Sequence, residues 1–360
     1  MSTNLGSHGK FLNVQALRFV AAALVLLTHL KFATGYTGYL LLDGGFGAVG
    51  VDVFFVISGF VISLSASKIG SNYKLFFAHR IARVVPLFWF VSLFLVARAL
   101  YSNEGLCLQR LWNTVMFLPI FDFDSLSGHY HDYGWTLSFE VWFYLIFGCG
   151  VAFFGAQRTV FMVPVFLGVT VIFIFPLYDC SWFLPSFLFN PMVLEFCSGI
   201  LLFKYIDRLN KFVFIICVCA LPIFTYGVFV TERLGWHIEV LADHLLSFYR
   251  LLIWGGFGLC VTLCAVYVDK IKGLRFPGFV IYLGDASYSL YLIQPFALLV
   301  ARKVSLGSSV LAGVAFVFIS ILGGLLMYGI IERPLSSWCR SVLEKMFHVK
   351  RPVIVPLIAQ

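Results

Sequence analysis

The chain is 360 residues long, 61% hydrophobic and only 12% charged, with a formal net charge of +8. A water-soluble domain carries about 25% charged residues, so a soluble fold is excluded, and no polar stretch is long enough to form a separate soluble domain. The net charge is read as the Lys/Arg bias of membrane loops; no basic stripe with interleaved aromatic residues points to DNA or RNA.

The apolar residues fill runs long enough to cross a hydrocarbon core as helices, not the short alternating segments of a β-barrel. The expected fold is therefore an all-α integral membrane protein, a bundle of about ten transmembrane helices. In chain order they are placed at 11–33, 49–67, 80–101, 135–155, 159–177, 187–204, 211–230, 246–267, 279–300 and 309–331. The first is expected to be retained: its run is too long for a signal peptide, contains Arg18, and is followed by no small-residue cleavage site. The stretch 106–121 is apolar but short and contains Arg110 and Pro119, which suits an interfacial or re-entrant segment. Residues 1–335 make one membrane domain, and 336–360 a short cytoplasmic tail. With the N-terminus inside, the inner loops collect most of the Lys and Arg residues, among them Lys68, Lys74, Arg158, Lys204, Arg208 and Lys270. That bias places both termini in the cytoplasm. The cysteines mostly lie inside apolar runs as small packing residues, and Cys217-x-Cys219 has neither a histidine nor a second pair beside it, so no metal site is expected.

An ionisable side chain inside a membrane helix costs roughly 3 kcal/mol on insertion scales, so each one needs a reason. Arg18 and His29 share the first helix; eleven residues is three turns plus about 20°, so both point the same way, with a rise of about 16 Å between them. Arg18 falls in the inner half and His29 in the outer half. Asp52 opens the second helix in Gly50-Val51-Asp52-Val53-Phe54-Phe55-Val56-Ile57-Ser58-Gly59-Phe60, at a depth similar to His29. It also reads as a plain helix-end carboxylate, while Ser58 and Gly59 make a small-residue seam. Arg80 and Arg83, at the cytoplasmic start of the third helix, share a helix face and make a fork for phosphates; simple anchoring is the other reading. Glu140 lies about one turn into the fourth helix, where the helix dipole alone would favour it. Gln294, in Ser287-Tyr288-Ser289-Leu290-Tyr291-Leu292-Ile293-Gln294-Pro295, has two donors to satisfy beside a proline expected to kink the helix. Glu332-Arg333-Pro334 reads as the end of the last helix at the inner face.

Together these segments carry a resemblance. Arg18-x10-His29, the Gly50–Phe60 stretch, Arg80-x-x-Arg83, the Trp135–Tyr144 segment, Ser287-Tyr288-Ser289-Leu290-Tyr291-Leu292 and Glu332-Arg333-Pro334 occur in order over nearly the whole chain, which resembles the acyltransferase-3 membrane proteins. The resemblance implies an O-acyltransferase of the bacterial inner membrane, of the exopolysaccharide acetyltransferase kind. It implies acyl-CoA, usually acetyl-CoA, as a cytoplasmic co-substrate with no bound cofactor, and a sugar hydroxyl of a surface carbohydrate as acceptor. It also marks the histidine as catalytic and the Arg-x-x-Arg pair as donor-binding. Many members carry histidine where this chain has Gln294.

The chemistry of the residues agrees with that assignment. Acyl transfer to an alcohol needs a base near the hydroxyl and donors near the developing oxyanion. His29 is the best base; Asp52 or Glu140 could orient its second nitrogen. Arg18, Arg80 and Arg83 suit CoA phosphates or the thioester, and Ser58, Tyr288 and Gln294 are candidates to line the substrate path. Direct transfer and an acyl-histidine intermediate are both open, as is a homo-oligomer. A transporter or flippase also uses intramembrane charges, although the two halves of the chain show no repeat; a non-catalytic sensor is the third class.

Overall fold

The computed structural model describes residues 11–35, 46–103, 105–118, 128–177, 187–234, 244–305 and 307–348. Among them no strand occurs, and seven helical stretches are long and apolar enough to cross a membrane: Leu12–Thr34, Phe46–Ile69, Tyr73–Tyr101, Asp132–Leu177, Lys211–Arg233, Leu245–Lys270 and Ser309–Met346. The chain is thus an all-α membrane protein.

Helix α1 (Leu12–Thr34) packs against α2 (Val49–Ile69) through glycines. A Cβ on Gly50 would stand 2.3 Å from the Ala21 carbonyl oxygen, and one on Gly47, just ahead of α2, 2.0 Å from that of Leu24. The same device joins α2 to a later helix, α6 (Val193–Lys204): Gly59 lies against Phe196 and Gly199 against Val56, and in each case an added Cβ would fall 2.0 Å from the opposing carbonyl oxygen. Without a hydrophobic force between helices in lipid, such backbone contact maximises dispersion. It locks α2 on two sides and leaves the face bearing Val51, Phe54, Phe55 and Ser58 for the site.

The third helix, α3 (Tyr73–Tyr101), begins two turns earlier than expected, because Asn72 caps it by accepting from Leu75 N at 3.1 Å. Arg80 and Arg83 therefore sit inside the helix and not at its start. The short stretch after it forms α4 (Leu108–Met116), with Leu108, Trp112 and Met116 exposed, while its end at 119–121 lies outside the described residues.

The expected helices at 135–155 and 159–177 appear as α5 (Trp135–Phe173), interrupted at Gly155 (φ 74, ψ 160). That conformation is open to glycine and not to L-residues with a Cβ. The chain doubles back there, since a Cβ on Gly150 would meet Thr159 at 2.8 Å and Val163 at 3.2 Å. In an unbroken helix nine residues rise about 13 Å.

Helix α7 (Lys211–Arg233) and α8 (His244–Arg250) follow, the latter running through a wide turn at Leu251–Gly255 into α9 (Gly256–Lys270). The expected helix at 279–300 is three pieces: α10 (Gly278–Asp285), α11 (Ser287–Leu292) and α12 (Gln294–Val304). Pro295 has no N–H to give, and Phe296 N bonds Ile293 O, so the Leu292 carbonyl is released from the helix. His131 Nε2 takes it up at 3.1 Å.

Glu332-Arg333-Pro334 does not end the last helix. α13 (Ser309–Met327) passes through a wide turn at Tyr328–Glu332 that accommodates Pro334 and continues as α14 (Arg333–Met346). The first part of the expected tail is thus helical and lies on α3, with His79 Nε2 3.1 Å from Glu344 Oε1; residues 349–360 lie outside the described residues.

Candidate functional site

A cleft of about 790 Å³, its open mouth included, is lined from α1, α2, α3, α5 and α11. It brings together most of the residues singled out in the sequence: Arg18, Ser58, Arg80, Arg83, Glu140 and Tyr288. Arg18 and Arg80 are buried, at 8% and 9% exposure. Arg80 donates to Ser65 Oγ at 2.9 Å and lies over the rings of Phe76 and Tyr144, while its Nε has no partner. Among the described residues none of the three arginines makes an ion pair. Glu140 is the cleft's carboxylate, and its Oε1 is already occupied: Ser58 Oγ donates to it at 3.1 Å, and Tyr144 OH donates to it as well. Glu332 stands behind, accepting from Ser289 Oγ at 2.6 Å. Tyr288 is held by its hydroxyl on the Val84 carbonyl at 2.8 Å.

Three buried or half-buried guanidinium groups without a carboxylate partner are expensive in a membrane. Planar forks converging on one cleft are suited to bidentate capture of a polyanion. The aromatic walls of Phe54, Phe55, Tyr144 and Tyr288 lend the same cleft an apolar surface for a less polar part of the ligand.

His29 does not line the cleft but lies next to it. Its ring stacks on Tyr133 with centroids 3.9 Å apart and planes 9° from parallel. The Tyr133 carbonyl accepts from the hydroxyl of Tyr291, a cleft residue, at 2.7 Å, and Thr136 Oγ1 is 2.9 Å from that hydroxyl. His29 Nδ1 stands 2.5 Å from Gln294 Oε1. The expectation that Asp52 or Glu140 orients the imidazole is corrected: Glu140 is bound to Ser58 and Tyr144, and Asp52 is elsewhere. Both Asp52 oxygens are held by Arg250, through Nε at 3.2 Å and Nη2 at 3.1 Å, with the two residues 0% and 3% exposed. Asp52 is thus turned to the side of α2 facing Arg250 and Gly258, away from the cleft.

Sequence reasoning held Tyr144 and Tyr291 only as members of their motif segments and gave no role in the site to either of them, to Tyr133 or to Arg250. Tyr133 ends the run His129-Tyr130-His131-Asp132-Tyr133, whose density of ring side chains ahead of a membrane helix was a readable signal. Its two histidines are framework: His129 bonds Ser138 at 3.0 Å, His131 bonds the Leu292 carbonyl, and burial pushes both pKa values down to about 4, so both are neutral at neutral pH.

Residues 11–329 match the family model described as an acyltransferase domain, acyltransferase 3. The chain is 30% identical over 303 residues to the exopolysaccharide production protein ExoZ of Rhizobium meliloti (strain 1021), across 80% of this chain and 89% of that protein. No solved structure matches.

Proposed function

The chain belongs to the acyltransferase-3 family and is a membrane acyltransferase, and from that premise we propose that it moves an acetyl or other short acyl group from acyl-CoA to a sugar hydroxyl. The acceptor we propose is an exopolysaccharide or a related surface or lipid-linked glycan, in keeping with the name of its relative. The observation that carries the donor assignment is the cleft with Arg18, Arg80 and Arg83 unpaired: it offers cationic forks for the CoA phosphates and aromatic walls for its less polar arm. His29, about 16 Å further along α1 than Arg18, is where an extended donor would present its thioester. There His29 removes the proton of the sugar hydroxyl, the hydroxyl oxygen bonds to the acyl carbon, and the carbon–sulfur bond breaks. The CoA thiolate leaves and recovers the proton from the imidazolium.

We also propose that the protein lies in the bacterial inner membrane as a ten-pass bundle with both termini cytoplasmic. The reversal at Gly155 divides one of the seven long stretches in two, and Val193–Lys204 and the broken run Gly278–Val304 supply two further passes. Contacts at chain turns support one common end: Asn13 meets Asp269 and Leu274, Lys270 meets the carbonyls of Ile206 and Leu209, and Gly155 lies near Ser71. Lys68, Lys74, Arg158, Lys204 and Arg208 lie near the helix ends on that side, the cytoplasmic one by the positive-inside rule. Cys107, exposed beyond the far end of α3, should then react with an impermeant maleimide from the periplasmic side. Reaction from the cytoplasmic side alone would reverse the orientation.

The experiment that tests the function is transfer of labelled acetyl from acetyl-CoA to exopolysaccharide extracted from the source cells, by purified protein in detergent. Arg80→Ala/Arg83→Ala should weaken acetyl-CoA binding about tenfold or more, since a charge-assisted phosphate contact contributes roughly 1.5–3 kcal/mol. Lysine at both positions should restore only part of it, because the planar fork is lost. Unchanged acetyl-CoA affinity in the double variant would remove the donor from this cleft.

A further inference from the structure

The contact between His29 and Gln294 joins two segments 265 residues apart in sequence, and nothing about either alone announces it. The break at Ile293 turns Gln294 inward, where it is fully buried. Its Oε1 meets His29 Nδ1, and its Nε2 finds no acceptor among the described residues. The side chain therefore does not tie helices together through a network; its described partner is the imidazole.

A carboxamide oxygen only accepts, so Nδ1 is the nitrogen that carries the proton, and the lone pair of the neutral ring lies on Nε2. Tyr133, stacked flat on the ring, removes the freedom to rotate it out of that arrangement. We propose that Gln294 is the positioning residue of the reaction, holding His29 in the tautomer whose Nε2 is free to take the proton of the acceptor hydroxyl. The inference rests on His29 being the base. It gives the role first assigned to Asp52 or Glu140 to a neutral side chain: an amide fixes the tautomer and orientation without placing a second charge beside the imidazole.

The test uses purified full-length protein in detergent, acetyl-CoA as donor and exopolysaccharide extracted from the source cells, with CoA thiol release as the readout. Gln294→Leu removes the acceptor and should lower kcat about 10- to 100-fold, as loss of an orienting outer partner does, with the KM for acetyl-CoA unchanged. Gln294→Glu keeps an acceptor and adds a charge that favours the imidazolium. Its acid limb in the pH–rate profile should therefore move to higher pH by about one pH unit or more, with activity kept on the alkaline side. The other titratable groups near the ring, Tyr133, His131 and Lys31, are the same in all variants. A merely structural glutamine would leave the kcat of Gln294→Leu at the wild-type value at matched folding, while the acid limb of Gln294→Glu reports that position 294 faces the imidazole of the base. Wild-type kcat in Gln294→Leu, or an unmoved acid limb in Gln294→Glu, overturns the assignment. If His29→Gln is inactive while Gln294→Leu is fully active, the base stands and the positioning role alone falls; wild-type turnover by His29→Gln removes both.

Discussion

Replacing His29 with glutamine is expected to lower acyl transfer at least about 10²-fold, the contribution of a positioned general base, while the protein still inserts and binds acetyl-CoA. Glutamine keeps a hydrogen-bonding shape next to Gln294 and a flat group against Tyr133, but it cannot take a proton. His29→Ala should be equally inactive. If His29 served only to satisfy a buried polar group, the glutamine variant would be active and the alanine variant would mainly lose folding yield. Wild-type activity should also decline as pH falls below the imidazole pKa, because the protonated ring has no lone pair to offer. The deciding measurement is turnover of His29→Gln against wild type at matched folding and matched donor affinity, and wild-type turnover would reject the base assignment.

The second large effect is on stability. Arg250→Ala should destabilise the fold by about 3–5 kcal/mol, the usual cost of removing one partner from a buried ion pair. The loss leaves Asp52 uncompensated at 0% exposure, with the fully buried Glu195 nearby, and strips the guanidinium from the face of Trp254, 4.5 Å away. Asp52→Asn should show a milder loss of the same kind, and Asp52→Asn combined with Arg250→Gln should recover part of the stability by removing both charges. Thermal denaturation in detergent reads this directly. A catalytic Asp52 would behave otherwise: Asp52→Asn would melt like wild type and lose turnover. That pattern would return Asp52 to the mechanism.

Asp52 shows how far the sequence reaches. Helix α2 and its glycine seam were legible, because glycines spaced along an apolar helix have few other uses. Which way the carboxylate turns was not, because its partner Arg250 lies 198 residues away. Arg80 and Arg83 were legible as a pair, since residues three apart share a helix face. That Arg80 is buried and Arg83 half-buried inside the helix was not, because it depends on Asn72 starting the helix two turns earlier. The breaks at Ile293 and Tyr328 follow prolines visible in the sequence, yet whether a proline ends, kinks or widens a helix depends on what receives the released carbonyl.

By itself, the sequence determined that this chain lives in a membrane as helices, that it carries the acyltransferase motifs, and which charged residues needed a reason. Those conclusions rest on local quantities: run length, spacing along one helix, and the cost of a charge in hydrocarbon. The tertiary structure alone decided which of these residues meet. It gathers three arginines from two helices around one cleft, gives His29 to Gln294 and Tyr133, and withdraws Asp52 into a pair with Arg250. The reason is physical: a side chain's partner is set by which helix faces pack together, and those faces are fixed by close backbone contacts at Gly47, Gly50, Gly59 and Gly199, whose opposing residues no local pattern specifies.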